Sequence, residues 1–104
     1  MRLPRLIRVG AYRYAVTFKK GMGRLGETDS NKGTITLQPG QGPDYLADTL
    51  LHEVLHACWW RTFAATGLEF VSQPQEESII AALTPTLLEV LRDNPVLVKF
   101  LTGR

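Results

Sequence analysis

Cysteine and histidine are scarce in this chain: Cys58 is the one thiol, and His52 and His56 are the only imidazoles. A single cysteine excludes an internal disulfide, whereas a domain this small in an oxidising compartment usually carries several. No apolar run approaches the ~18 residues that a membrane-spanning helix requires. The N-terminal stretch interrupts its apolar residues with Arg2, Arg5, Arg8 and Arg13, leaving no uninterrupted apolar centre for a secretory leader. The expectation is a cytoplasmic protein with no membrane partner. Acid is also missing from one region. All seven charged side chains between Met1 and Arg24 are basic, so the net charge of +2 conceals five basic against ten acidic residues in the remainder.

What is present suits one globular domain. A length of 104 residues, 44% of them hydrophobic and 21% charged, gives room for a single modest core spanning residues 1–104 and no composition break for a second. Tyr12, Tyr14, Val16 and Phe18 alternate with other residues, as in a half-buried strand, and Leu6 to Val9 reads as a strand before it. Glu27 to Gly33 reads as a turn, and Thr34 to Leu37 as a short strand stopped by Pro39-Gly40.

Helices follow. Pro43 suits a first helical position, and the pattern predicts a helix from about Pro43 to about Phe63, with Gly67 ending that region. Ser72 and Gln75 form a capping box that opens a second helix, which meets Pro85 and kinks there. Asn94 is expected to cap a short terminal helix over Val96 to Leu101 that closes the core. Strands first and helices after indicate an α+β fold: an antiparallel sheet of about three strands, then a long helix, then two or three more.

Both imidazoles fall in the stretch LLHEVLHA, four residues apart with Glu53 directly after the first. On a helix that spacing projects His52 and His56 from one face, where they can share a metal ion. Catalytic zinc takes three protein ligands and leaves a position for water. His-Glu-x-x-His supplies two nitrogens and a carboxylate able to accept a proton, so Glu53 is the candidate general base. The flanking residues are uncharged and free of proline, so the segment can be a buried helix in which a carboxylate is costly unless it is used. The blander reading is an exposed pair of imidazoles beside a solvated Glu53.

A third ligand must be Asp, Glu, Cys or Tyr. Cys58 lies two residues past His56 and points elsewhere on a helix, which makes it a small core residue. Glu76 and Glu77 open the next helix. Helical phase aligns Glu76 with Ile80, Leu83 and Leu87 and selects it, with Glu77 as the alternative. Asp48, one turn before His52, could orient that ring, although a solvated first-turn charge is the simpler role. Trp59 and Trp60 are read as one core residue and one boundary residue.

The Tyr12-x-Tyr14 strand, Gly33-Thr34-Ile35-Thr36-Leu37, LLHEVLHA, Glu76-Glu77-Ser78-Ile79-Ile80 and Leu91-Arg92-Asp93-Asn94-Pro95 together resemble the small zincin metallopeptidases. The likeness is to minimal, often phage- or prophage-encoded relatives of the SprT-like and ImmA/IrrE-like families, and it extends over most of the chain. In the glutamate-zincins that it is similar to, a glutamate on the following helix is the third zinc ligand, and the usual spacing falls on Glu76. The resemblance implies zinc-dependent peptide-bond hydrolysis by metal-activated water, with Glu53 accepting its proton and returning it to the leaving amine. It further implies an extended polypeptide substrate held along an edge strand, here Thr34 to Leu37. An oxyanion donor would come from Tyr45, Tyr12, Tyr14 or an arginine.

Two other functions compete. The same fold could be a catalytically silent assembly component, for example of a phage particle, in which zinc is a structural staple and phage structural proteins are the partners. The basic arm from Arg2 to Arg24, with Tyr12 and Tyr14 interleaved, could instead contact nucleic acid, although solvated strand faces account for those charges.

Overall fold

The computed structural model describes residues 3–64 and 72–103; Arg2 and Gly67 lie outside them. Its element order is β1 (Leu6–Val9), β2 (Tyr12–Phe18), β3 (Gly26–Asp29), β4 (Thr34–Leu37), α1 (Pro43–Trp59), α2 (Gln73–Asp93) and α3 (Pro95–Thr102). The α+β class is as expected. The sheet is not, because it has four strands in the order β1-β2-β4-β3 and is mixed.

The turn expected over Glu27 to Gly33 begins as a strand. The sequence Gly-Glu-Thr-Asp has no apolar alternation, so β3 is invisible to a hydrophobicity pattern, yet it pairs antiparallel with β4 from Gly26↔Leu37 to Asp29↔Thr34. The Asp29 carboxylate accepts from the backbone N–H groups of Asn31 and Lys32, tightening the turn between the two strands. Gly33 closes it at φ +70°, where a Cβ would stand 2.7 Å from the Arg13 carbonyl oxygen. That approach lets Ala15 N–H donate to the Gly33 carbonyl at 2.9 Å and lays β4 parallel to β2.

β4 is therefore interior. Thr34 to Leu37, expected to be the edge strand available to substrate, has β2 on one side and β3 on the other. The edge beside α1 is β3.

The core lies between one face of the sheet and α1. Val9, Tyr14, Ile35, Leu37 and Ala57 are buried there, with Leu46, Leu50, Val54 and Cys58 of α1 packed against them. Tyr14 is fully buried, and its hydroxyl donates to Ser30 Oγ at 2.9 Å. Pro43 takes the first position of α1, and the helix continues past Trp59 as a widened π turn over Trp60–Ala64, close to the expected end.

The capping box of Ser72 and Gln75 forms as expected. α2 then runs through Pro85 as one helix, with the Thr84 hydroxyl donating to the Ile80 carbonyl at 2.6 Å. Asn94 does not cap α3 through its side chain, which instead donates to the Val90 carbonyl. Nor does α3 close the core: none of its residues is buried, and Val96 and Phe100 are more than 80% exposed. Among the described residues no helix is long and apolar enough to cross a membrane.

Candidate metal centre

α1 has two working faces. One turns Leu46, Leu50, Val54 and Cys58 to the sheet. The other carries Thr49, His52, Glu53 and His56 toward β3 and α2, where a cavity of about 840 Å³ opens. The helical period places a residue of every turn on each face, so the strand-packing stripe and the polar stripe coexist on one helix.

The imidazoles converge as the spacing predicts. A ring nitrogen of each and a carboxylate oxygen of Glu77 all lie within 4.8 Å of one another. His52 Nε2 is 2.6 Å from Glu77 Oε1 and 3.3 Å from Oε2, and His56 Nε2 is 3.1 Å from Oε2. Glu76, the expected third member, is on the other side of the His56 ring, where Nδ1 approaches its Oε2 at 2.6 Å.

The structure thus groups Glu77, not Glu76, with the two Nε2 atoms. The reason is the phase of α2. Its buried residues are Ile80 and Thr84, while Leu83 is 48% exposed. The stripe facing α1 therefore runs along Ile80–Thr84 and passes between the two glutamates, so both reach the imidazoles from opposite sides.

The two carboxylates divide the work. Glu76, with 16% of its side chain exposed, sits behind the ring, and Glu77, with 52%, sits at the mouth of the cavity. A His56 that gives its Nδ1 proton to Glu76 presents the Nε2 lone pair toward Glu77 and the cavity, the usual way in which a carboxylate sets the tautomer of a ligating histidine. Burial pulls the His56 pKa down, but the hydrogen bond to Glu76, the charge of Glu53 and the contact with Glu77 outweigh it, leaving the ring raised above 6.5. Asp48 lines the same cavity one turn before His52 but makes no hydrogen bond to that ring among the described residues.

Glu53 is 6% exposed and is not left unpaired. The Thr28 hydroxyl on β3 lies 2.7 Å from its Oε1 and 2.9 Å from its backbone carbonyl, able to donate to either. Gly26, two residues earlier on the same strand, lets β3 press against the helix: a Cβ there would meet Thr49 Cγ2 at 2.9 Å and Glu53 Oε2 at 3.0 Å. Thr28 and Gly26 were not singled out from the sequence, since nothing marks Gly26–Asp29 as a strand.

Thr49 donates to Gln41 Oε1 at 2.7 Å, and Gln41 Nε2 donates to the carbonyls of Leu25 and Gln38, which ties the start of β3 and the end of β4 to α1. Of the suggested oxyanion donors, Tyr14 is in the core, Tyr45 is 72% exposed, and Tyr12 packs edge-on against Trp60. Arg24 lines the cavity, with Trp60 beside it. Cys58 packs on the core, and burial raises its thiol pKa. Arg8 and Arg13 stand opposite each other in the β1–β2 pair, on the side of the sheet away from β3.

No family model, curated protein or solved structure matches the chain.

Proposed function

We propose that this domain is a zinc-dependent peptidase of zincin type, with His52, His56 and Glu77 as the ligands and Glu53 as the general base. The observation that carries it is the approach of both Nε2 atoms to the one carboxylate of Glu77 in a cavity lining, with Glu76 behind His56. The donor set suits zinc, which takes imidazole nitrogen and carboxylate oxygen. Three donors on one tetrahedral ion stand roughly 3.3 Å apart for ligand distances of ~2.0–2.1 Å. Glu77 Oε2 already lies 3.3 Å from His52 Nε2 and 3.1 Å from His56 Nε2. These three residues line the cavity, where a bound ion would leave room for water and substrate.

A zinc ion held there would supply Lewis acidity to a water molecule and to a substrate carbonyl. The protein's own groups do the rest. Glu53, fixed through Oε1 by Thr28, accepts the proton of the attacking water and delivers it to the leaving amine. Glu76 holds His56 in one tautomer. Arg24, at the cavity and 3.7 Å from Glu27, is the candidate donor for charge developing on the carbonyl oxygen and would leave Glu27 to reach it. An extended polypeptide is received along the outer edge of β3, which pairs with no further strand among the described residues and lines the same cavity as the imidazoles.

Zinc content and hydrolysis of a denatured protein test this together. Wild-type protein should bind one equivalent and cleave, His52→Ala should lose both, and Glu53→Gln should keep the metal and lose cleavage. Purified protein that takes up no zinc at micromolar concentration sinks the reading. Retained zinc without any cleavage favours the alternative of a zinc-stapled structural component.

A further inference from the structure

Five carboxylates line the cavity: Glu27, Asp48, Glu53, Glu76 and Glu77. Four of them have work. Glu77 meets both imidazoles, Glu76 holds His56, Glu53 takes the Thr28 hydroxyl, and Glu27 lies 3.7 Å from Arg24. Asp48 is half-buried on α1 and has no hydrogen bond or ion pair among the described residues.

The contrast with Asp44, one turn earlier on the same helix, is informative. Asp44 is 90% exposed and still receives Arg92 of α2 at 3.2 Å. Asp48 is better shielded from water, where a charge gains more from a partner, and none stands against it among the described residues. Arg24, the one lysine or arginine of the lining among the described residues, stands 3.7 Å from Glu27.

We propose that Asp48 selects a cationic side chain, lysine or arginine, of a polypeptide bound in this cavity. The proposal rests on the peptidase reading for the strand-like pose of the ligand, and it names the substrate class of the same site. A peptide lying on the outer edge of β3 turns alternate side chains into the space between that strand and α1, where Asp48 stands one turn from His52. A lysine or arginine ammonium or guanidinium there forms a charge-assisted pair with Asp48, whereas a glutamate meets an acidic wall.

The test uses fluorescein-labelled decapeptides that differ at one central position, lysine, norleucine or glutamate, against the zinc-loaded Glu53→Gln protein. Norleucine keeps the lysine stem and removes its charge. Anisotropy should show the lysine peptide bound about tenfold or more tighter than norleucine, a preference of the size expected for one charge-assisted hydrogen bond. Adding Asp48→Asn should abolish that preference while zinc content is retained, and Asp48→Lys should shift it toward glutamate. Equal affinity for lysine and norleucine, a preference that survives Asp48→Asn, or no binding of any peptide overturns the inference. Its failure separates from that of the peptidase reading. Wild-type protein that cleaves lysine and norleucine peptides with equal kcat/KM refutes only the selectivity. Protein that binds the lysine peptide selectively but never cuts it refutes only the catalysis.

Discussion

The two faces of α1 are stabilised by different physics. Toward the sheet, Leu46, Leu50, Val54 and Ala57 join Tyr14, Ile35 and Leu37 in a core whose contribution is burial, non-directional and tolerant of small rearrangement. Toward β3 and α2, Thr49, Glu53, His52 and His56 are held by directed contacts to Gln41, Thr28, Glu77 and Glu76. The first face makes the fold, and the second spends polar groups in partly buried surroundings where each needs a partner. A helix that carries both is anchored by the one so that it can position the other.

The largest separation of the two faces should come from the core. Leu37→Ala removes a fully buried side chain and should cost about 2–5 kcal/mol in denaturant unfolding. Protein that remains folded should still bind zinc, because no member of the polar face touches Leu37 through a hydrogen bond. A loss of metal affinity larger than the loss of stability would show that the faces are not independent.

Next in size is the clamp between β3 and α1. Thr28→Val keeps the shape of the side chain and removes the hydroxyl beside Glu53 Oε1, leaving a buried oxygen without its donor. The expected cost is about 1–3 kcal/mol of stability. If Glu53 is the base, kcat should fall further than stability explains. Unchanged thermal stability would mean that water replaces the hydroxyl.

This clamp also marks where the sequence stopped being informative. α1 and its paired imidazoles were legible because helical period and residue chemistry coincide within eight residues of chain, and the capping box announced α2 for the same local reason. β3 was not, since Gly26, Glu27, Thr28 and Asp29 owe their strand geometry to pairing with β4 and to the approach of Gly26 to the helix. Once β3 is missed, β4 reads as an edge and the sheet as antiparallel. The choice of Glu76 over Glu77 rested on a related assumption, that Leu83 lies in the buried stripe, whereas the buried residues of α2 are Ile80 and Thr84 and the oxygen nearest both Nε2 atoms belongs to Glu77. Which apolar residues of an amphipathic helix are covered is a property of the partner, not of the helix.

The glutamate pair sharpens the comparison within the polar face. Glu77→Gln should remove a ligand and abolish tight zinc binding. Glu76→Gln should leave the ligand set intact and weaken affinity about 10- to 100-fold, as is usual for a carboxylate behind a ligating histidine. Competition with a zinc-binding dye measures both. The reverse ranking would restore Glu76 as the ligand.

The smallest effect is that of pH on the metal-free protein. His56 lies between Glu76 at Nδ1 and Glu77 at Nε2, both carboxylates, and both contacts are hydrogen bonds only when the ring carries two protons. Its pKa is accordingly raised above 6.5 in the folded state. A raised folded value means that the native state binds the proton more tightly than the unfolded chain does. This contribution is therefore complete below 6.5 and is lost as pH climbs through the folded pKa. Metal-free protein should thus become slightly less stable from pH 6.5 upward, while zinc affinity rises over the same window, because the ion must displace the Nε2 proton. Unfolding curves taken with and without chelator across that range should diverge in opposite directions. The divergence should shrink in Glu77→Gln, which loses the ligand and one of the charges that raise His56, while Glu76 and Glu53 remain. A metal-free stability that instead rises with pH through this window would show that burial, and not the paired glutamates, governs His56.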